Sequence, residues 1–95
     1  MITGIVVGTV VSNRRADGVD APRYLLVDPC DQHGTRKNSA LVALDLIGAR
    51  DGEMVLLCQG SPCRQTPLTD NKPFDALIAA IVDMIDQDST VVYQK

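Results

Sequence analysis

The chain has 95 residues and a formal net charge of -3, and 45% of its residues are apolar although only 3% are aromatic. This length predicts one domain, residues 1–95, with a modest core, so that some aliphatic side chains are expected to be buried against another chain. The acidic balance and the scattered cations disfavour binding to nucleic acid or to an anionic membrane.

The start of the chain and its cysteines predict a soluble, cytosolic protein. Residues 1–5 lack the basic region and the long apolar run of a signal peptide, and no apolar run reaches the length of a membrane span. The three cysteines, Cys30, Cys58 and Cys63, are an odd number without a regular framework, which favours a reducing compartment.

Four aliphatic segments in the first two thirds of the chain predict β-strands. The first is rich in β-branched side chains without a helical period, and its Gly4 and Gly8 indicate a bulge or a close approach of another backbone. Gly34 lies in a turn that is expected to need a positive φ angle. The four predicted strands are residues 2–12, 23–28, 40–44 and 53–59.

One helix is predicted late in the chain, over residues 73–84, followed by a fifth strand over residues 90–93. Pro73 suits a first helical turn, and Asn71 and Asp75 suit the amino end of a helix. Apolar side chains follow the helical i, i+3, i+4 spacing at Phe74, Leu77, Ile78, Ile81 and Ile85. Five strands with a short helix before the last predict an all-β fold, a small closed barrel like the oligonucleotide/oligosaccharide-binding (OB) type.

No set of reactive side chains has the spacing of a known catalytic or metal site. His33 is the single histidine, and Cys58 and Cys63 are too far apart for a Cys-x-x-Cys pair, so Cys58 is expected to be a small apolar side chain. The glycines of residues 48–60 form no phosphate-binding motif, and Ser61 has no nucleophile-elbow pattern. The sequence predicts no enzymatic activity, no metal and no cofactor.

Two alternative functions would each need features that a small barrel can carry. A single-stranded nucleic-acid-binding barrel would need aromatic stacking platforms and a basic groove. A small thiol or metal enzyme would have to use Cys58, Cys63 and His33.

The stretch from Asp45 to Arg64 is the most informative part of the chain. Glycine-bearing turns lie on both sides of a short strand, and Asp45 and Asp51 are expected to cap backbone amides around Gly48-Ala49-Arg50. Two shaped turns so close together predict an edge at which the molecule assembles with others.

Several short motifs, in order along nearly the whole chain, resemble the EutN/CcmL family, the pentameric vertex proteins of bacterial microcompartment shells. The motifs are Gly8-Thr-Val-Val11, Leu25-Leu-Val-Asp28, Asp45-Leu-Ile-Gly-Ala49, Gly52-Glu-x-Val-Leu56, Gly60-Ser-x-x-Arg64 and Pro73-x-Asp-Ala-x-Ile-x-x-Ile-Val-Asp83. The resemblance implies an OB-like barrel in a homopentamer that caps shell vertices in the cytoplasm. It also implies hexameric shell proteins and encapsulated enzymes as partners, and a structural role without catalysis.

The resemblance further implies which residues lie at subunit interfaces or in loops near the ring axis. These are Gly48, Ala49, Arg50, Gly60, Ser61 and Arg64. Arg50 stands where the family often has glycine, and Pro62-Cys63 replaces a Ser-Ala pair. Arg64 is expected to form an interface ion pair or to anchor its loop, with an exposed arginine as the alternative.

Overall fold

The computed structural model describes residues 1–11, 23–59 and 76–95, and within these ranges the chain forms seven β-strands and no helix. The strands are β1 (Ile2–Val10), β2 (Arg23–Pro29), β3 (Leu41–Asp45), β4 (Met54–Gln59), β5 (Ala76–Ile81), β6 (Met84–Gln87) and β7 (Thr90–Gln94). Within the same ranges, none of the structure is a helix long and apolar enough to cross a membrane.

Five of the strands close into a barrel in the order β1-β2-β3-β5-β4, and β4 pairs back onto β1. The β3–β5 pair is parallel, and the other four pairs are antiparallel. Closure removes the free edges that an open sheet would expose. The predicted all-β closed barrel of five strands is therefore confirmed.

Aliphatic side chains fill the barrel. The buried cluster consists of Val6, Leu25, Val27, Ala43, Ala49, Val55, Leu57, Ala76 and Ile78. In β2 the buried residues Leu25 and Val27 alternate with partly buried ones, as expected for a strand with one face toward the core. Among the residues that the structure describes, no aromatic ring belongs to this cluster, in keeping with the aromatic-poor composition.

The glycines predicted to mark special backbone positions behave as expected. The β1–β2 register shifts between Val6 and Gly8, which is the bulge expected near Gly8. A Cβ added at Gly4 would lie only 2.6 Å from Val27 Cγ1, so a neighbouring strand does approach closely there. Gly34 has a φ angle of 86°, within the left-handed region that favours glycine.

The helix predicted over residues 73–84 is wrong wherever the structure describes it. Residues 76–81 are strand β5, and Met84 begins strand β6. The run Ala-Leu-Ile-Ala-Ala-Ile is apolar on every side, a pattern that fits a buried helix and a buried strand equally well. The segment is a strand because it pairs with β3 on one edge and with β4 on the other. The predicted start of the helix, residues 71–75, lies outside the described residues.

The fifth strand of the barrel is consequently β5 and not the predicted strand at residues 90–93. Those residues do form a strand, β7, but it pairs with β6 in a separate two-stranded sheet. The predicted number of five barrel strands is confirmed, but the prediction that residues 90–93 form the fifth is wrong.

This β6–β7 hairpin is attached to the barrel at both of its ends. Near its base the Val82 N–H donates to Met54 O at 2.8 Å, and Lys95 forms an ion pair with Glu53. Near its tip Gln32 Nε2 donates to Gln87 Oε1 at 3.0 Å. The hairpin therefore lies against the barrel as an appendage outside the main cluster.

Candidate functional site

The turn that follows β3 is organised by one buried carboxylate. Asp45 Oδ1 accepts hydrogen bonds from the N–H groups of Ile47 and Gly48, and Oδ2 accepts one from Ala49, each at 3.0 Å. The Asp45 side chain is completely buried. The predicted capping role of Asp45 is confirmed, and the turn is held in one shape by three backbone N–H groups that donate to one carboxylate.

Arg23 supplies the positive charge that accompanies this carboxylate. Its Nη1 lies 3.4 Å from Asp45 Oδ2, and the two residues face each other in the β2–β3 ladder. A buried carboxylate needs such partners because burial without hydrogen bonds or a counter-charge disfavours its ionised form. Half of the Arg23 side chain is still exposed, so the guanidinium can make a further contact.

The second half of the turn is fixed by Glu53. The Arg50 N–H donates to Glu53 Oε1 at 2.6 Å, so Glu53, which was not among the predicted caps, accepts from an amide of this turn. Gly52 has a φ angle of 83° and donates its N–H to Val6 O at 2.8 Å, which ties the turn to β1. The turn is thus anchored from both ends.

Glu53 also forms an ion pair with Lys95, and this contact shifts the pKa of both groups. A hydrogen bond from Lys95, and then one from the Arg50 N–H, hold the pKa of Glu53 below its usual value. The same hydrogen bond from the Lys95 side chain to Glu53 raises the pKa of Lys95. Both shifts favour the charged pair, which fastens the chain after β7 to the turn before β4.

Of the six residues predicted from the resemblance, the structure describes three. Gly48 and Arg50 are exposed, whereas Ala49 is fully buried in the core of its own chain. The Ala49 side chain is therefore covered before any neighbour binds, and its part in the turn is played by its N–H. Gly60, Ser61 and Arg64 lie outside the described residues.

Sequence reasoning missed the two most exposed aliphatic side chains of this turn. Leu46 is 43% exposed and Ile47 is 46% exposed, although both are large and apolar. A sequence signal exists, because two consecutive aliphatic residues directly after a strand and before a glycine cannot both point into the core. The turn thus presents Leu46, Ile47 and Arg50 outward on a rigid frame.

A second buried carboxylate, Asp28, fastens the segment after β2. Asp28 Oδ2 accepts from Arg36 Nε at 3.0 Å, and Oδ1 accepts from the Ser39 N–H at 3.1 Å. Burial by itself would raise the pKa of Asp28, but the hydrogen bonds from Arg36 and Ser39 outweigh burial and lower it. The group is thus a charged structural clasp, with its hydrogen bonds directed to its own chain.

The remaining candidate residues have structural surroundings. His33 is an exposed turn residue whose backbone N–H donates to Asp31 Oδ1 at 2.9 Å. Cys30 is a free, buried thiol, and burial raises its pKa. Cys58 is disulfide-bonded, which corrects the prediction that it is merely a small apolar side chain. Among residues 1–11, 23–59 and 76–95, no three histidine, cysteine or acidic side chains come together as a metal site would require.

Comparison with known proteins identifies relatives over the full chain. The family model described as "Ethanolamine utilisation protein EutN/carboxysome" matches residues 1–83. The bacterial microcompartment shell vertex protein EutN of Escherichia coli K12 is 34% identical over 95 residues, which is 100% of both chains. The carboxysome shell vertex protein CcmL of Gloeobacter violaceus is 34% identical over 100% of this chain and 95% of its own.

Solved structures agree with these relatives. The structure of Gloeobacter violaceus CcmL matches with a TM-score of 0.91 at 34% identity, covering 100% of this chain and 98% of the other. The GrpN pentameric microcompartment shell protein from Rhodospirillum rubrum matches with a TM-score of 0.80 at 31% identity, over 92% and 99% of the two chains.

The closed barrel and the similarity along the whole chain define a bacterial microcompartment shell vertex protein. The order of the short sequence motifs agrees with this class. The chain belongs to the EutN/CcmL family.

Proposed function

We propose that five copies of this chain form a closed ring that caps a vertex of a bacterial microcompartment shell. The similarity to shell vertex proteins over the full length carries the proposal. Two solved relatives are described as pentameric shell proteins, GrpN and MSM0273. The task of such a ring is geometric, because a pentagon among hexagons supplies the curvature that closes a shell.

The proposed surroundings of the ring are those of a shell corner. Its neighbours are hexameric shell proteins, and the shell encloses enzymes. Because the relatives are shell proteins, we assign this chain a structural role without catalysis. We also propose that residues 1–95 act as one domain. The single-stranded nucleic-acid module and the thiol or metal enzyme are not retained as functions for a member of this family.

Charge limits the kind of contact that can hold the ring together. Each chain carries a formal charge of -3, so five chains carry 5 × -3 = -15. Like charges repel, and the contacts should therefore be apolar or paired between opposite charges. The turn after β3 offers both, since it exposes Leu46 and Ile47 beside the cation Arg50.

The turn from Gly48 to Arg50 is accordingly proposed to contact a neighbouring subunit or to approach the ring axis. Its rigidity supports this role, because an interface built on an ordered turn does not have to order it on binding. The resemblance suggests the same role for Gly60, Ser61 and Arg64.

Native mass spectrometry tests the ring directly. We expect a species of five chains, five times 10.2 kDa or 51 kDa, at micromolar concentration and moderate salt. A monomer under these conditions would contradict the proposal. Arg50→Ala and Arg64→Ala, compared with Lys37→Ala at another exposed cation, would then show whether either predicted arginine holds subunits together.

A further inference from the structure

The β6–β7 hairpin has one face toward the barrel and one face toward solvent. In its register Ile85 lies opposite Tyr93, and both are partly buried. A Cβ added at Gly34 would lie 3.6 Å from Tyr93 Cδ1, so Tyr93 rests on the turn after β2. We call the opposite side the outer face; it consists of Met84, Asp86, Val91 and Gln94, all of them exposed.

The outer face exposes large apolar side chains around an acidic one. Met84 is 53% exposed and Val91 is 50% exposed, and Asp86 pairs with Val91 in the ladder. A two-stranded hairpin by itself is at best marginally stable in water, so it gains from cover on its free face. The outer face is therefore suited to a partner that offers apolar side chains and a cation.

A second patch with this complementary character lies at the end of the barrel where β2 begins. We call it the rim patch, and it consists of Arg23, Leu46 and Ile47. Arg23 pairs with Asp45 in the ladder, which places the following residue, Leu46, at the same end. Leu46 and Ile47 are nearly half exposed, and half of the Arg23 side chain is exposed to solvent.

The two patches are separated along β2. The rim patch is at the amino end of β2, whereas the hairpin tip is bonded through Gln87 to Gln32, in the turn after its carboxyl end. A strand of seven residues spans about 20 Å at roughly 3.3 Å per residue. A ring requires two different patches on each subunit, whereas a two-fold dimer uses one patch twice. These two patches meet that requirement.

We propose that the outer face of the hairpin of one subunit docks on the rim patch of the next copy in the ring. Met84 and Val91 pack against Leu46 and Ile47 there, and Asp86 faces Arg23. This inference rests on the proposed ring of five and names the surfaces that join its members.

A cysteine pair tests the contact. In a Cys30→Ala background, Val91→Cys combined with Ile47→Cys is expected to give, under mild oxidation, disulfide-linked bands of up to five chains on a non-reducing gel. The matched control combines Val91→Cys with Ala79→Cys, which places the second thiol at an exposed position of β5 outside the rim patch. It is expected to give no such ladder.

A second variant tests the energetic role of the same face. Met84→Ser with Val91→Ser removes two exposed apolar side chains and should raise the concentration needed for assembly at least about tenfold, because both lose the apolar surface that they would bury at each contact. Ala79→Ser is the control, and circular dichroism checks that each variant is folded.

The outcomes separate the two proposals. A wild-type pentamer that persists in the double serine variant, without cross-linked bands in the cysteine pair, would overturn the hairpin contact and leave the ring intact. A wild-type monomer would overturn the ring itself.

Discussion

At the scale of single residues, two buried aspartates shape the turns of this protein. Asp28 lies in β2 and Asp45 ends β3, and each accepts hydrogen bonds from backbone N–H groups and from one arginine. Both side chains are hydrogen-bonded within their own chain, so they fix the shape of the surface around them.

Asp45→Asn is expected to lower the free energy of unfolding by about 1–3 kcal/mol, because an amide NH₂ would replace one acceptor and face the Ala49 N–H and Arg23. Asp51→Asn, the same substitution at an exposed aspartate of the same turn, is the matched control and should change that free energy by less than about 0.5 kcal/mol. Urea unfolding at one fixed protein concentration measures both. Equal losses in the two variants would contradict the dominant role assigned to the backbone hydrogen bonds.

At the scale of elements, β-branched enrichment and punctuating glycines were sufficient to predict four of the barrel strands. The fifth, β5, could not be predicted because residues 76–81 are apolar in both the helical and the strand periodicity. Only its two neighbours in the barrel distinguish the alternatives, and they are far away in sequence. The exposure of Leu46 and Ile47 was missed for a different reason, because the signal that two aliphatic residues follow a strand directly and precede a glycine was not used.

The close approach of β1 and β2 gives a prediction for this pair of strands. Gly4→Ala would bring a Cβ to 2.6 Å from Val27 Cγ1 and 3.3 Å from Asp28 O, so overpacking should destabilise the protein by about 1–3 kcal/mol. In Gly8→Ala the nearest atom is Leu26 Cβ at 3.8 Å, and stability should change by less than about 1 kcal/mol. Thermal unfolding compares the two, and a tolerant Gly4 site would show that the strands separate readily.

At the scale of the whole molecule, the order of short motifs identified the family, although each motif alone is weak. A small barrel with exposed aliphatic side chains at the outer face and at the rim patch has reason to associate. The composition had indicated as much, but the two surfaces became visible only when the hairpin was found outside the barrel. Their separation could not be predicted from the sequence, because its pattern predicts a helix where β5 completes the barrel.

Association on this scale links stability to concentration. If folded chains are held in rings, the melting temperature should rise by several degrees for roughly a hundredfold increase in protein concentration, because mass action favours the assembled state. Differential scanning calorimetry or fluorescence over that range measures the effect. The Met84→Ser, Val91→Ser double variant should show a weaker dependence, and a melting temperature independent of concentration in the wild type would indicate isolated chains.

The turn held by Asp45 also bears on the conformational entropy that subunits lose when they assemble into a ring. Whatever freedom a contact loop loses on binding is lost five times in a five-membered ring. Here the loop is already immobilised inside the lone subunit by three amides on one carboxylate. In the proposed ring, where this turn is assigned a contact, each contact would order no further backbone in the turn, and the entropy cost repeated at the five contacts would be small.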